Sequence, residues 1–193
     1  TNSQNITITN CNFSENKKDT VGWIVIFDGP ANALGGGVFM DQCRSSKLDS
    51  NTMQFQNDGI ALYNCDSISI LDNNLSWNTA YGIRMFRSDS CTINNNNCSN
   101  INRITDPSDC AAILVLESKE NRIVYNDFTY SGDGVFLNDK NTFTPGNNYF
   151  AWNDCSWSPH NAIEAVFSSL PTFFRTFSKD SSFLPKRTTI APP

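Results

Sequence analysis

The sequence predicts an all-β fold, a solenoid of short parallel strands with about five full coils, an incomplete coil before them and an irregular tail behind. Three observations carry that expectation. Asn occurs 26 times in residues 1–161 and never afterwards. A small residue followed by an aliphatic one recurs at nearly regular spacing, and within each recurrence the apolar residues alternate with the two-residue period of a strand.

The recurrences begin at Gly37-Val38, Gly59-Ile60, Gly82-Ile83, Ala112-Ile113, Gly134-Val135 and Ala162-Ile163, so successive starts lie 22, 23, 30, 22 and 28 residues apart. A fixed body explains the unequal steps. It opens at Cys43, Cys65, Ser88, Ser118 and Pro145, and ten residues later stands Met53, Leu75, Cys98, Phe128 or Cys155. All length variation then falls in connections, one holding Asn100 to Ala111 and another Lys140 to Thr144. Eight residues into the body stands Asn51, Asn73, Asn96, Asn126 or Asn153; five residues in stands Leu48, Ile70, Ile93, Ile123 or Phe150. A partial segment precedes them, with Ile6, Ile8 and Phe13 at apolar positions and Cys11 where the Asn would fall.

A period near 22 with strand alternation excludes the helical repeats, which need about 33–34 residues. One such coil cannot bury its inward side chains alone, but coils stacked about 4.8 Å apart enclose a continuous core. Stacking gives the Asn column its cause. Asn tolerates the left-handed conformation of a tight bend, and its amide can donate to one neighbouring coil while accepting from the other.

The solenoid is expected over residues 1–168, with an irregular excursion at 23–37 bracketed by Gly29-Pro30 and Gly35-Gly36-Gly37. Residues 169–193 lose Asn and gain Pro and Phe, which predicts either a cap on the last coil or a disordered tail. The net charge of −5 argues against nucleic-acid binding, and no apolar run is long enough to cross a bilayer. Seven Cys, none in a C-x-x-C spacing, predict buried thiols acting as small apolar residues. Three of the four Asn-x-Ser/Thr sequons, at Asn5, Asn12, Asn74 and Asn97, fall on the repeat's own motif and are expected as its by-products.

Gly59-Ile60-Ala61-Leu62 followed by Asn73-Asn74-Leu75-Ser76 resembles the repeat of the right-handed parallel β-helix, the pectate-lyase-like superfold and its carbohydrate-binding and sugar-hydrolase branch. Ser131-Gly132-Asp133-Gly134-Val135-Phe136-Leu137 and Ser158-Pro159-His160-Asn161-Ala162-Ile163-Glu164 are similar to stretches of bacterial β-helix repeat proteins. The resemblance implies a polysaccharide-binding or polysaccharide-processing protein, extracellular or at the cell surface, and a fragment of something larger. The competing expectation is a structural or adhesive protein that self-associates through its solenoid face or packs on missing flanking coils.

Candidate chemistry falls at four places. Outward positions of the first strand line up Ala61, Arg84, Leu114, Phe136 and Glu164, and beside them Tyr63, Phe86, Leu116, Asn138 and Val166. An exposed apolar strip of this length predicts a binding face, with Tyr63, Phe86, Arg87, Phe136, Asn138 and Glu164 as substrate contacts; the alternative is a strip that something covers. Arg84 stands there as a candidate base by resemblance alone. At the following turn Arg87, Glu117 and Asp139 stack in consecutive coils. The pair Glu117 and Asp139 is expected to be a catalytic carboxyl pair or a cation site, or else Glu117 forms a surface ion pair with Arg87 and Asp139 is solvated. Asp106, Asp109 and Asp133 could offer oxygens to Ca²⁺, against a reading as loop turns. His160, the only histidine, is a candidate acid or base, or else a hydrogen-bonded turn residue. Phe55, Trp77, Asn100, Tyr130 and Trp157 also form a column, and their parity with inward positions predicts core stacking.

Overall fold

The computed structural model describes residues 3–16, 35–102, 110–139 and 146–166, and the backbone of 172–174. The described residues contain strands, bends and turns but no helix, so none is long and apolar enough to cross a membrane. The expected repeat is the fold. One sheet stacks six parallel strands, β3 (Val38–Asp41), β6 (Asp58–Tyr63), β8 (Tyr81–Phe86), β10 (Ala111–Leu116), β12 (Asp133–Asn138) and β14 (Asn161–Val166). A second stacks seven: β2 (Thr7–Thr9), β5 (Lys47–Asp49), β7 (Ser69–Leu71), β9 (Thr92–Asn94), β11 (Arg122–Val124), β13 (Tyr149–Ala151) and β15 (Thr172–Phe174). Single bridges run up a third line from Asn12 through Thr52, Asn74, Asn97 and Asp127 to Asp154. The short strands β1 (Ser3–Gln4) and β4 (Cys43–Arg44) pair at the first coil. Strand β15 extends the second sheet beyond residue 168, where the sequence placed the end of the solenoid.

The register repeats the sequence alignment. Ile60 lies beside Ile83, Ile83 beside Ile113, Ile113 beside Val135 and Val135 beside Ile163. These side chains, with Leu48, Ile70, Ile93, Ile123 and Phe150 from the second sheet, fill one continuous core. At the start of β12 the coils approach too closely for a side chain: a Cβ added at Gly134 would lie 2.5 Å from the Ala162 carbonyl oxygen and 2.7 Å from Cys155 Cβ. All seven Cys are free, six of them buried, and burial pushes the Cys65 thiol up to about 11 and that of Cys91 to about 12. They are apolar filling, as expected.

The Asn column is a hydrogen-bond ladder. Asn73 Oδ1 accepts from the Asn51 backbone N–H at 2.9 Å and from its Nδ2 at 3.0 Å, and Asn73 Nδ2 donates onward to Asn96 Oδ1 at 3.0 Å. Asn96, Asn126 and Asn153 continue the pattern, and at the other end the Cys11 N–H donates to Asn51 Oδ1. A second ladder was missed. Cys91 N–H donates to Asn121 Oδ1, and Asn121 donates through both N–H and Nδ2 to Asn148 Oδ1. The sequon pattern is explained as well: Ser76 Oγ donates to Asn74 Oδ1 at 2.8 Å and Ser99 Oγ to Asn97 Oδ1 at 2.7 Å, the side-chain turns that Asp127 with Thr129 repeats one coil later.

One column reads differently from expectation. Phe55, Trp77, Asn100, Tyr130 and Trp157 all have positive φ, between 56° and 63°, at the bend before the long strand. Strand parity cannot be carried through a left-handed residue, because it reverses the side on which the next side chain emerges. The rings stand in solvent, with Trp77 53%, Tyr130 52% and Trp157 44% exposed.

Candidate functional site

The expected open strip on the six-stranded sheet is a second core. Ala61, Tyr63, Arg84, Leu114 and Leu116 are buried, and Leu114 and Leu116 pack with Ala80, Tyr81, Ala111, Phe86 and Phe136. The strip is covered along β6 to β10, where its side chains do not form an open floor for a substrate, while Glu164 at its far end remains partly exposed. Tyr63 lies between Phe39 and Phe86, at ring-centroid distances of 5.5 and 5.7 Å. Phe136 and Asn138 are half-buried.

Arg84 is corrected with them. Its Nη2 lies 2.7 Å from Asp58 Oδ2, its Nη1 donates to Tyr63 Oη at 3.3 Å, and its guanidinium lies 4.8 Å from the centre of the Tyr81 ring. Nη2 and Oδ2 meet at ion-pair distance without the alignment of a hydrogen bond. Burial works against the charge, but Asp58, with Tyr63 and Tyr81, outweighs it and leaves the Arg84 pKa raised. A buried cation held this way is a poor base. At the next turn Glu117 accepts from Arg87 Nε at 2.8 Å, while Arg87 also lies over the Phe86 ring at 4.7 Å and Asp139 is buried one coil further on. The ion-pair reading of Glu117 and Arg87 is the one this geometry favours.

The remaining candidates converge. Strand β14 runs beside β12 with Asn161 opposite Asp133 and Glu164 opposite Phe136. That register carries His160, held by its own N–H to the Gly132 carbonyl at 3.0 Å, onto Asp133. His160 Nδ1 lies 2.8 Å from Asp133 Oδ1 and 3.6 Å from Glu164 Oε2. Asn161 braces both acids: its backbone N–H donates to Asp133 Oδ1 at 2.9 Å and its Nδ2 to Glu164 Oε2 at 3.1 Å. The Asp133 side chain is 1% exposed, those of His160 and Glu164 34% and 31%. The buried acid orients the imidazole, while the other two groups reach solvent, the logic by which a base is held by a third residue.

Burial pushes the Asp133 carboxyl up to about 7, with His160 pulling it down and Glu164 adding to the rise. Asp133 therefore titrates near neutral pH in direct contact with the imidazole. The sign for stability follows. An acid whose folded pKa stands above its unfolded value, 3.8 here, is tolerated protonated and penalised ionised. Its contribution is fully present below about pH 4 and lost as pH rises through about 7. Asp133→Asn is expected to flatten that part of a melting-temperature profile against pH; a profile unchanged by the substitution would mean that Asp133 does not carry it.

Asp133, His160 and Glu164 each offer one ligand atom, all within 4.8 Å of one another. One imidazole nitrogen with two carboxylates suits a transition metal better than Ca²⁺, whose ligands are oxygens. Asp133, expected as an oxygen donor to Ca²⁺, is hydrogen-bonded to His160 and Asn161. Its expected partners Asp106 and Asp109 lie outside the described residues.

The family model for the right-handed β-helix region matches residues 1–112 and again 36–176. No curated protein matches the chain. Among solved structures, the crystal structure of the periplasmic alginate epimerase AlgG is similar with a TM-score of 0.72 at 13% identity, over 93% of this chain. The chain spans 41% of that protein's length, and at this identity the likeness is one of fold. With matches that together run the length of the stacked coils, this chain belongs to the right-handed β-helix family.

Proposed function

We propose that this protein binds and processes a polysaccharide by proton transfer, with His160 as the exchanging base, Asp133 as its buried orienter and Glu164 as a second exposed acid–base group. The observation that carries this reading is the imidazole fixed at 2.8 Å on a buried carboxyl while it remains open to solvent beside a second acid. A neutral imidazole held in this way takes a proton from a substrate carbon or hydroxyl at ordinary pH. Such a dyad suits abstraction of the acidic C–H beside a uronate carboxyl, as in a lyase or an epimerase. A glycosidase needs two carboxyl groups that both reach the scissile bond, and Asp133 is buried. The likeness in fold to a periplasmic alginate epimerase supports both the substrate class and an exported location, outside the cell or at its surface.

The test is direct. Uronate and neutral polysaccharides are incubated with the protein in D₂O, and elimination, reducing-end release and deuterium uptake are followed together. Elimination or deuterium uptake on a uronate polymer is expected, and His160→Ala should lower kcat by at least ~10²-fold, the usual worth of a positioned acid–base group. Full turnover in His160→Ala would remove the reading. A wild-type protein inert on every polymer, yet self-associating with concentration, would favour the structural alternative.

A further inference from the structure

At the bend before each long strand the fold asks only for a residue that tolerates positive φ and a backbone N–H for the next coil. Asn100 meets both demands, with φ 58° and its N–H donating to the Thr129 carbonyl at 2.9 Å. Asn is the side chain best suited to that conformation, whereas a bulky aromatic there is uncommon. Trp77, Tyr130 and Trp157 nevertheless occupy the same position, with backbone N–H bonds to Ser99 for Trp77 and to Ser156 for Tyr130. About half of each of these residues remains exposed. The architecture does not require them, and exposing them to water has a cost.

Their arrangement points to a ligand of particular chemistry. Tyr130 and Trp157 present parallel rings, 5° apart in plane with centroids at 6.1 Å. Between Trp77 and Tyr130 the column skips a ring at Asn100, so those two rings belong to coils roughly two spacings, about 9.6 Å, apart. An open cavity of about 580 Å³ lies at this interruption, lined among others by Trp77, Asn100, Asn102, Tyr130, Trp157 and Pro159. That volume is in the range of small-ligand sites, about 300–1,000 Å³. Among the described residues the lining is made of aromatic rings, amides and a proline. Flat π-faces with amides between them suit a pyranose, whose axial C–H bonds meet a ring while its hydroxyls bond to amides. Asn100 spends one amide N–H on Ser99 Oγ at 3.0 Å and keeps its other polar groups for such a partner. Pro159, one of the lining residues, directly precedes His160 in the chain.

We propose that the bend carrying Trp77, Tyr130 and Trp157 is a saccharide-binding subsite that stacks the uncharged faces of sugar rings and leads the polymer to His160. The subsite itself stands on the ring geometry; only its link to His160 rests on the function proposed above.

The test substitutes the repeat's own residue, Asn, for the rings, and follows binding of cellohexaose and of galacturonate and mannuronate hexamers by calorimetry. The wild-type protein is expected to bind at least one hexamer. Trp77→Asn and Trp157→Asn should each weaken that binding by about tenfold, as for the loss of one stacked ring, without lowering the melting temperature. Phe55→Asn, in the same column but outside the cavity lining, should bind as the wild type does. Binding of no hexamer, or binding indifferent to both Trp substitutions, overturns the subsite. So does a result in which the Trp substitutions change only self-association, since the rings would then be a contact between copies. The two proposals fail separately. Ring-dependent binding with no turnover of any polymer removes the acid–base reading and keeps the subsite, while His160-dependent turnover with ring-independent binding does the reverse.

Discussion

Asp58→Ala is expected to lower the unfolding free energy by about 3–5 kcal/mol, the usual result of removing one partner of a buried ion pair. Asp58 and Arg84 are each about 2% exposed by side chain, so water cannot take over the charge that is left behind. Arg84 would retain one bond to Tyr63 and the face of Tyr81 but lose Asp58, the largest of the influences that raise its pKa against burial. The attraction does not offset desolvation without a counter-charge. Replacing both residues by apolar ones of similar size, as in Asp58→Leu with Arg84→Met, should recover most of the loss. Urea unfolding of the three proteins tests this, and a single substitution costing less than ~1 kcal/mol would show that the pair is hydrated.

Asn96→Ala is the second large effect, expected to destabilise on the order of 3 kcal/mol. Asn96 Oδ1 is the acceptor for two donors of Asn73, its backbone N–H and Nδ2, each at 3.0 Å, in a buried setting. Alanine removes that acceptor and also vacates the donor side, where Asn96 Nδ2 reaches Ile70 O at 2.9 Å and Asn126 Oδ1 at 3.0 Å. Because each coil touches only its neighbours, the damage falls on the two interfaces around β9 and should reduce the cooperativity of unfolding as well as its midpoint. A midpoint equal to that of the wild type would show that the ladder adds nothing to stability.

The fold was legible because identical residues at a fixed register leave a visible column, and because apolar alternation survives insertions that fall between coils. Asn121 and Asn148 escaped notice since their column begins with Ser46, Ile68 and Cys91, so no single residue type marks it. The bend at Trp77 and Trp157 was misread because period two was extended across a residue at positive φ. Burial of the first-strand face was one of the two readings the sequence left open, and the period of one coil could not decide between them because burial depends on what packs against the sheet from outside.

The candidate site was half legible. His160, Glu164 and Asp133 were each singled out, but for different chemistry, with Asp133 assigned to Ca²⁺ alongside Asp106 and Asp109. Yet the alignment of Gly134-Val135 with Ala162-Ile163 already sets Asp133 opposite Asn161, next to His160. The same reasoning at Gly59 and Gly82 brings Asp58 opposite Tyr81, three strand positions and one coil from Arg84. Reading across coils as well as along the chain would have found both groups. The stacked turn already offered the pairing of Glu117 with Arg87; what no alignment supplied is the burial of Asp139.

The central claim is that consecutive coils join His160 and Asp133 into one proton-exchanging unit. Since the chain has a single histidine, nitrogen-15 labelling of histidine yields one imidazole whose two nitrogens can be followed through pH without assignment. The ring signals are expected to register the titration of Asp133 near pH 7 and to lose that inflection in Asp133→Asn. An imidazole whose nitrogen shifts follow the same curve in both proteins would contradict the account, because residues 133 and 160 would then not be neighbours in solution.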